Sequence, residues 1–265
     1  MTQDILSYLP ADHPWSTYIC YRDTIGSTND EAKRLAAGGA PQGTVVIAGH
    51  QTGGRGRMGR SFHSPAGLGL YLSVILRPDC APGELMHLTC AVAVAACNAV
   101  EQAADIRPGI KWTNDLVFGK KKLGGILTEL SFNPNGTVNH AVVGIGINCN
   151  HTSKDFPPEL RDMASSLSMI TGKSVNPSLL AAHLIRELET MNQELLTGKD
   201  AAMDRYRADC VTLGKEVSVH RFDEVRHGTA ESVDDEGALL VRFSDGHTEA
   251  IAAGEVSIRG MYGYL

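Results

Sequence analysis

The sequence predicts an α+β fold in which helices flank a mixed sheet and a small β-barrel follows at the C-terminus. Strand-like and helix-like patterns alternate along most of the chain, whereas only short strand-like runs follow Gly214. Such runs, separated by turn residues such as Asp245-Gly246, are typical of a small barrel. We therefore place a domain boundary near Thr212, with one domain over residues 1–212 and a second over residues 213–265.

The composition narrows the function classes. The 265 residues are 43% hydrophobic and 20% charged, as in an ordinary globular protein. The formal net charge of −6 argues against a general nucleic-acid-binding protein, which is usually basic. The sequence shows neither an export signal nor a run typical of a membrane span. Its 6 cysteines show no CxxC pair or zinc-binding spacing, so we expect reduced thiols, a cytoplasmic location, and no membrane or nucleic-acid partner.

The first regular helix is predicted near Thr28. Residues 1–20 contain two prolines and indicate an irregular lead-in, too short for a helix-turn-helix domain. Thr28 and Glu31 have capping-box spacing, and Gly38 suits the C-terminal end of a helix. Capping alone is one explanation for the hydroxyls of Ser27 and Thr28, and contact with a ligand is the other.

Periodicity and strand-forming residues predict the remaining elements. Apolar residues at helical spacing indicate a long buried helix over residues 84–104, with Met86 and Cys97 as core residues. Residues 152–176 indicate a loop with a short helix. Further helices are predicted over residues 177–196 and 201–210. Strands are predicted near Ile110 and over residues 45–51, 70–76, 116–118, 122–130 and 141–148, and in the barrel over residues 217–221, 228–233, 238–243, 248–251 and 256–258.

The segment from Gly53 to Arg60 has a composition that core packing does not explain. It holds four glycines and three arginines directly after a predicted strand. Glycines let a backbone approach a ligand closely, and arginines offer planar cations that suit phosphate and carboxylate oxygens. A solvated basic turn is the alternative. The Gly54-x-Gly56-x-x-Gly59 spacing also fits a dinucleotide fingerprint, but no helical pattern follows it, which disfavours that reading. We expect the segment to cover a negatively charged ligand.

Two further stretches carry residues suited to a binding site. Lys122 leads directly into a strand with Gly124-Gly125, and Gly144 and Gly146 interrupt another apolar strand. Glycine weakens a strand interior, so its presence there suggests a ligand lying against the sheet. The ten histidines are dispersed and form no metal-binding pattern, so each is expected to be a surface or packed residue.

Four ordered blocks of this sequence resemble the biotin–protein ligases, also called biotin–[acetyl-CoA carboxylase] ligases. The resemblance extends over nearly the whole chain and includes Gly254-Glu255-Val256-Ser257 in the barrel. It implies a class II synthetase-like catalytic domain followed by an SH3-like barrel, in the short form that lacks an N-terminal DNA-binding domain. The blocks are Ser27-Thr28-Asn29; Gln51 with Gly54-Arg55-Gly56-Arg57-x-Gly59-Arg60; Lys111-Trp112-x-Asn114-Asp115-Leu116 with Lys122-Leu123-x-Gly125-Ile126; and Gly144-x-Gly146-Ile147-Asn148.

The resemblance implies two half-reactions. The carboxylate of biotin attacks the α-phosphorus of ATP to give biotinyl-5′-AMP, and a lysine of a biotin carboxyl carrier protein then takes the biotinyl group. The carrier would belong to acetyl-CoA carboxylase or to another biotin-dependent enzyme. Two residues depart from the family pattern: Thr113 stands where many members have proline, and Phe62 where many have tryptophan. The first departure affects the rigidity of the turn, and the second affects stacking on the nucleotide.

The resemblance also implies roles for individual residues. Ser27, Thr28 and Gln51 would contact the ureido ring of biotin, and Gly125 and Gly144 would flatten the strands along the apolar part of biotin. Trp112 would form part of the pocket wall, although a tryptophan that only packs in the hydrophobic core is a comparable interpretation. Asp115 would share Mg²⁺ with the phosphates and accept a proton from the incoming amine. The other implied binding residues are Lys122 on the carboxylate; Lys111, Arg55, Arg57 and Arg60 on the phosphates; Asn114 and Asn148 on adenine or ribose; and Asn29, Gly54, Gly56 and Phe62 as further contacts.

Two alternatives stay open at this point. A lipoate–protein ligase shares the acyl-adenylate chemistry, but that family does not usually combine the arginine-rich loop with this barrel. A non-catalytic scaffold that binds partners through the barrel would not require Lys122 or the arginines, and both are present. The sequence is compatible with either a monomer or a homodimer.

Overall fold

The computed structural model describes residues 1–221, 224–252, 255–258 and 261. Within this part of the chain the helices are α1 (Thr2–Tyr8), α2 (Thr28–Ala37), α3 (Leu88–Ala104), α4 (Leu167–Thr171), α5 (Pro177–Glu194) and α6 (Lys199–Asp209). The strands are β1 (Ile19–Ile25), β2 (Val45–Gln51), β3 (Gly69–Leu76), β4 (Gly109–Lys111), β5 (Asp115–Phe118), β6 (Lys121–Phe132), β7 (Val138–Asn148), β8 (Glu216–Arg221), β9 (Glu224–Val233), β10 (Leu239–Phe243), β11 (Thr248–Ile251) and β12 (Glu255–Ile258).

A seven-stranded mixed sheet forms the centre of the larger domain, in the order β1-β2-β3-β7-β6-β5-β4. The pair β1 and β2 is parallel and is connected through α2, whereas the other pairs are antiparallel. The predicted mixed sheet flanked by helices is thereby confirmed.

The two faces of this sheet are covered differently. Alternate residues of β3, including Leu70, Leu72 and Val74, join the main core with α3 and α5. On the opposite face, Ile75 packs with Ala32 of α2 in a much smaller cluster. Because one ten-residue helix shields only part of that second face, room remains over the strands for a pocket.

The smaller domain is a five-stranded antiparallel sheet in the order β11-β10-β9-β8-β12, as expected for the SH3-like barrel. The Nε1 of Trp112 donates to the carbonyl oxygen of Gly237 at 2.9 Å, and Nε of Arg207 donates to that of Val233 at 2.6 Å. These bonds fix the barrel against the larger domain beside β4. Of the family-like stretch in the barrel, Gly254 lies outside the described residues.

Several local expectations were wrong. Residues 2–8 form α1 rather than an irregular lead-in, because Ile5 and Leu9 are buried in the main core. The predicted 84–104 helix is divided: a 3₁₀ turn over Pro82–Leu85 precedes α3, and Met86, in the link between them, is 52% exposed. Cys97 is buried as expected.

The start of α2 also differs from the expected capping box. Ser27 is the N-cap, and its side chain makes no capping hydrogen bond. The hydroxyl of Thr28 is instead bonded to the side chain of Gln51. Gly38 ends the helix as predicted.

The stretch Pro82–Ala104 is long and apolar enough by composition to cross a membrane, which the sequence analysis did not anticipate. In the fold, 67% of its most apolar window is buried. It packs as a core helix against α5 and the central sheet.

Candidate active site

A cavity of about 440 Å³ opens over the sheet face that α2 leaves uncovered. The loop Gly53–Arg60, the β4–β5 turn and the segment after β7 enclose it. Of the binding residues predicted from the sequence, all but Gly54 line it: Ser27, Thr28, Asn29, Gln51, Arg55, Gly56, Arg57, Arg60, Phe62, Lys111, Trp112, Asn114, Asp115, Lys122, Gly125, Gly144 and Asn148.

Gly54 shapes the loop from behind the cavity wall. Its carbonyl oxygen accepts from the backbone N–H of Phe62 at 2.9 Å. A Cβ at this position would lie 2.4 Å from the carbonyl oxygen of Phe62 and 2.6 Å from Oγ of Ser64. Only glycine therefore lets the two sides of the loop come this close.

Neutral polar groups line one end of the cavity. Oε1 of Gln51 accepts from the backbone N–H and the hydroxyl of Thr28, at 2.8 and 3.0 Å, and its Nε2 donates to Ser64 at 2.9 Å. The hydroxyl of Ser73 lies 2.8 Å from Oγ1 of Thr28 and 2.6 Å from Oδ1 of Asn29. This end presents preorganised amides and hydroxyls, as a neutral ureido ring would require.

Ser73 is part of this network, although the sequence analysis did not single it out. It lies on β3, in which every residue is buried, and its own side chain is fully enclosed. A serine within such an apolar strand is the sequence signal for it, because a buried hydroxyl needs a hydrogen-bond partner.

Gly144 lines the cavity, and Asn29 fills the space that a side chain at Gly144 would occupy. Nδ2 of Asn29 donates to Oε2 of Glu129 at 2.9 Å and to the carbonyl oxygen of Leu127 at 3.3 Å. A Cβ on Gly144 would lie 1.9 Å from Oδ1 of Asn29. Gly125 differs, because a Cβ there would meet its nearest atoms, those of Lys122, only at 3.5 Å.

Cationic side chains line the other end. Nζ of Lys122 donates to Oδ1 of Asp115 at 2.6 Å. Lys111 is buried, and its Nζ donates to the carbonyl oxygen of Val256 of β12 at 3.0 Å. Two ammonium groups, those of Lys111 and Lys122, thus line this end of the cavity, which favours an anionic ligand there.

The loop Gly53–Arg60 reaches across the cavity and contacts both sides. Arg57 donates to Oδ1 of Asn114 at 3.0 Å, and Asn114 in turn donates to the carbonyl oxygen of Ile126 at 2.9 Å. Arg55, expected on the phosphates, donates to Oδ1 of Asp30 at 2.6 Å. Arg57 thus holds the loop to the cavity wall, and Arg55 holds it to helix α2.

Trp112 combines the two roles that the sequence left open. It lines the cavity and is also buried, with its indole N–H bonded to the barrel. The peptide bond that joins it to Thr113 is cis. Phe62 packs edge-to-face against Tyr71, with ring centroids 6.4 Å apart, and its ring occupies the space over Gly146.

The wall opposite the loop comes from a segment that sequence reasoning treated only as a connection. His151 is fully buried and stacks on Phe156 with ring centroids 4.8 Å apart. Burial, with the neighbouring His63 as a second cause, lowers the pKa of His151 to about 4, so it is neutral at pH 7. His63 was expected to be surface or packed, but it lines the cavity and lies 2.8 Å from the carbonyl oxygen of Asp155. The further lining residues that were missed here are Phe156, Leu160, Met163 and Ala164.

Comparison with known proteins agrees with this architecture. The model of the Biotin/lipoate A/B protein ligase family matches residues 21–148, and that of the Biotin protein ligase C terminal domain matches residues 212–259. The Bacillus spizizenii protein "Bifunctional ligase/repressor BirA" is 37% identical over 86% of this chain and 70% of its own length. The Mycobacterium tuberculosis "Biotin--[acetyl-CoA-carboxylase] ligase" is 33% identical over 87% of this chain and 85% of its own.

Among solved structures, the biotin protein ligase from Aquifex aeolicus in complex with biotin and ATP superposes with a TM-score of 0.76. It is 28% identical, and the alignment covers 91% of this chain and 98% of that one. Fold and cavity together define a ligase of the biotin/lipoate class. The C-terminal match and the sequence identity to known ligases identify the particular family. The chain belongs to the biotin protein ligase family.

Proposed function

We propose that this protein is an ATP-dependent ligase that activates biotin as biotinyl-5′-AMP and transfers the biotinyl group to a lysine of a biotin carboxyl carrier protein. One observation carries the proposal. A single cavity joins a neutral end, built around Thr28 and Gln51, to a cationic end, built around Lys111 and Lys122. Biotin is complementary to this cavity, because it has a neutral ureido ring at one end and an anionic carboxylate at the other.

In the first half-reaction, an oxygen of the biotin carboxylate attacks the α-phosphorus of ATP, and pyrophosphate leaves. Lys122, Lys111 and Arg57 line the cavity. In this proposal the two lysines neutralise the carboxylate and the phosphoryl oxygens, and Arg57 adds a cation from the loop. Neutralising these charges reduces the repulsion between the biotin carboxylate and the triphosphate, and the pocket orients the carboxylate oxygen toward the α-phosphorus. The substrate supplies the nucleophile, so the protein contributes binding, orientation and charge.

Mg²⁺ is part of the proposal. Asp115 is the one carboxylate among the described residues that line the cavity, and one of its oxygens is held by Lys122. This donor set fits an ion that takes one or two carboxylates and is otherwise bound by water and substrate phosphates. When bound, the ion would neutralise charge on the triphosphate. Asp115 would hold it through the oxygen that Lys122 does not engage.

In the second half-reaction, the amine of the carrier lysine attacks the acyl carbon of biotinyl-5′-AMP, an amide bond forms and AMP leaves. The amine must lose a proton, and Asp115 is the group we assign to accept it. The Gly53–Arg60 loop keeps water from the mixed anhydride until the lysine arrives. We place this reaction in the cytoplasm, where the carboxylases that carry such domains would be substrates.

A transfer assay tests the proposal. The protein is incubated with ATP, Mg²⁺, biotin and an isolated biotin carboxyl carrier domain, and intact-mass spectrometry follows the carrier. We expect one biotinyl group per carrier, and none on a carrier whose acceptor lysine is replaced by arginine. An unmodified carrier under conditions in which a known biotin protein ligase modifies it would exclude the proposed function.

A further inference from the structure

The Gly53–Arg60 loop is fastened to helix α2 by a residue outside the cavity. Oδ1 of Asp30, in the first turn of α2, accepts from Arg55 at 2.6 Å and also lies 3.0 Å from Nζ of Lys33. Asp30 does not line the cavity, whereas Arg55 does. One carboxylate therefore holds a cation of the loop and a cation of the helix.

Further ion pairs and hydrogen bonds connect Asp30 to the neutral end of the cavity. Lys33 donates to Oε1 of Glu129 on β6 at 2.9 Å, and Oε2 of that carboxylate accepts from Asn29 at 2.9 Å. A continuous path thus runs from Arg55 through Asp30, Lys33 and Glu129 to Asn29. It joins the loop to the side chain that fills the space over Gly144.

We propose that Asp30 is a positioning residue that, through Arg55, holds the Gly53–Arg60 loop closed over the pocket, and that Arg55 serves this contact rather than binding phosphate. Its importance for retaining an adenylate rests on the proposed function. Asp30 touches no substrate in this account, so it acts only through the loop.

The size of the effect follows from exposure. The side chains of Asp30 and Arg55 are 51% and 49% exposed, so their attraction is screened by water and salt. Exposed ion pairs of this kind change an equilibrium by about 1.4-fold to about fivefold. A loop with four glycines is entropically costly to order, so a contribution of this size is enough to change its opening.

Hydrogen–deuterium exchange of the ligand-free protein tests the contact without any assumption about activity. In Asp30→Asn, we expect amides of the Gly53–Arg60 loop to exchange about two- to fivefold faster than in the parent at low salt. The difference should shrink at high salt, where the parent loop also opens. Glu31→Gln is the matched control, because Glu31 lies one residue on in α2 and pairs with Arg34 away from the loop. Equal loop exchange in Asp30→Asn and the parent overturns the proposal.

A double-mutant cycle separates this role of Arg55 from phosphate binding. We would prepare Asp30→Asn, Arg55→Gln and the double variant, check each for folding by thermal melting, and measure dissociation of biotinyl-5′-AMP. Each single variant should release the adenylate faster, and Arg55→Gln should add less than about twofold in the Asp30→Asn background, because the ion pair is already lost there. An Arg55→Gln effect that is equally large in both backgrounds overturns the proposal. Failure of the parent to form adenylate would instead contradict the proposed function, and the exchange experiment would still decide the contact.

Discussion

Gly144→Ala is expected to damage the neutral end of the pocket, because the added methyl group takes the place of Asn29. The new Cβ would lie 1.9 Å from Oδ1 of Asn29 and 2.8 Å from its Cγ, so that side chain must move. Moving it disrupts hydrogen bonds with Ser73, Glu129 and the carbonyl of Leu127. At about 0.5–1.5 kcal/mol for each of the three bonds, we expect a loss of about 1.5–4.5 kcal/mol in the free energy of unfolding.

Urea unfolding measures this loss, and a double-mutant cycle tests its cause. Gly83→Ala is the control, because a Cβ there meets nothing within 4 Å, and it should change stability by less than about 0.5 kcal/mol. In an Asn29→Ala background the added methyl group has room, so Gly144→Ala should cost at least about 1 kcal/mol less than in the parent. The reasoning is refuted if Gly144→Ala costs the same in both backgrounds. The KM for biotin should rise in every variant that lacks Asn29 or displaces it.

Three further predictions concern charge. Lys122→Ala should lower biotin-dependent pyrophosphate exchange by about a hundredfold or more while the exposed Lys120→Ala does not, and near-normal exchange in the first variant would remove Lys122 from the site. Arg57→Gly removes the bond to Asn114, which should cost about 1.4 kcal/mol or more and release biotinyl-5′-AMP about tenfold faster. This variant should label serum albumin with biotin, and unchanged labelling despite normal adenylate synthesis would contradict a retaining role for the loop. Burial opposes ionisation of Glu129, but hydrogen bonds from Asn29 and Lys33 outweigh it and lower its pKa. Its stabilising contribution is therefore complete above about pH 4.3 and is lost as the pH falls through the lowered value. Glu129→Gln should make the stability fall less steeply as the pH is lowered, and an unchanged acid profile would argue against this contribution.

The sequence predicted the central elements because periodicity and turn residues are local signals. The strands from β2 to β7 and the helix α5 follow patterns of two and of 3.6 residues that tertiary contacts reinforce. The helix α1 was missed because seven residues are too few for a periodic pattern, and its stability comes from burying Ile5 against the core. Met86 was misplaced because the pattern continues through a link that bends.

The residues of the candidate site were predicted more readily than their partners. Glycine- and arginine-rich composition marks the loop, but nothing local indicates that Arg55 turns to Asp30 on a helix 25 positions earlier. Ser73 and His63 were missed for the same reason, since their neighbours come from distant strands and loops. The composition of a single segment can be read from the sequence, whereas hydrogen bonds and ion pairs between distant segments become evident only in the folded structure.

The measurement that tests the central claim most directly is ATP–pyrophosphate exchange by the parent protein, with biotin and lipoate compared side by side. The neutral end is built from the amides and hydroxyls of Thr28, Gln51 and Ser73, which offer the hydrogen bonds that a ureido ring needs and a dithiolane ring does not use. We predict rapid exchange with biotin and at least about a hundredfold slower exchange with lipoate. Exchange that is equal with the two acids, or that occurs only with lipoate, would contradict the account.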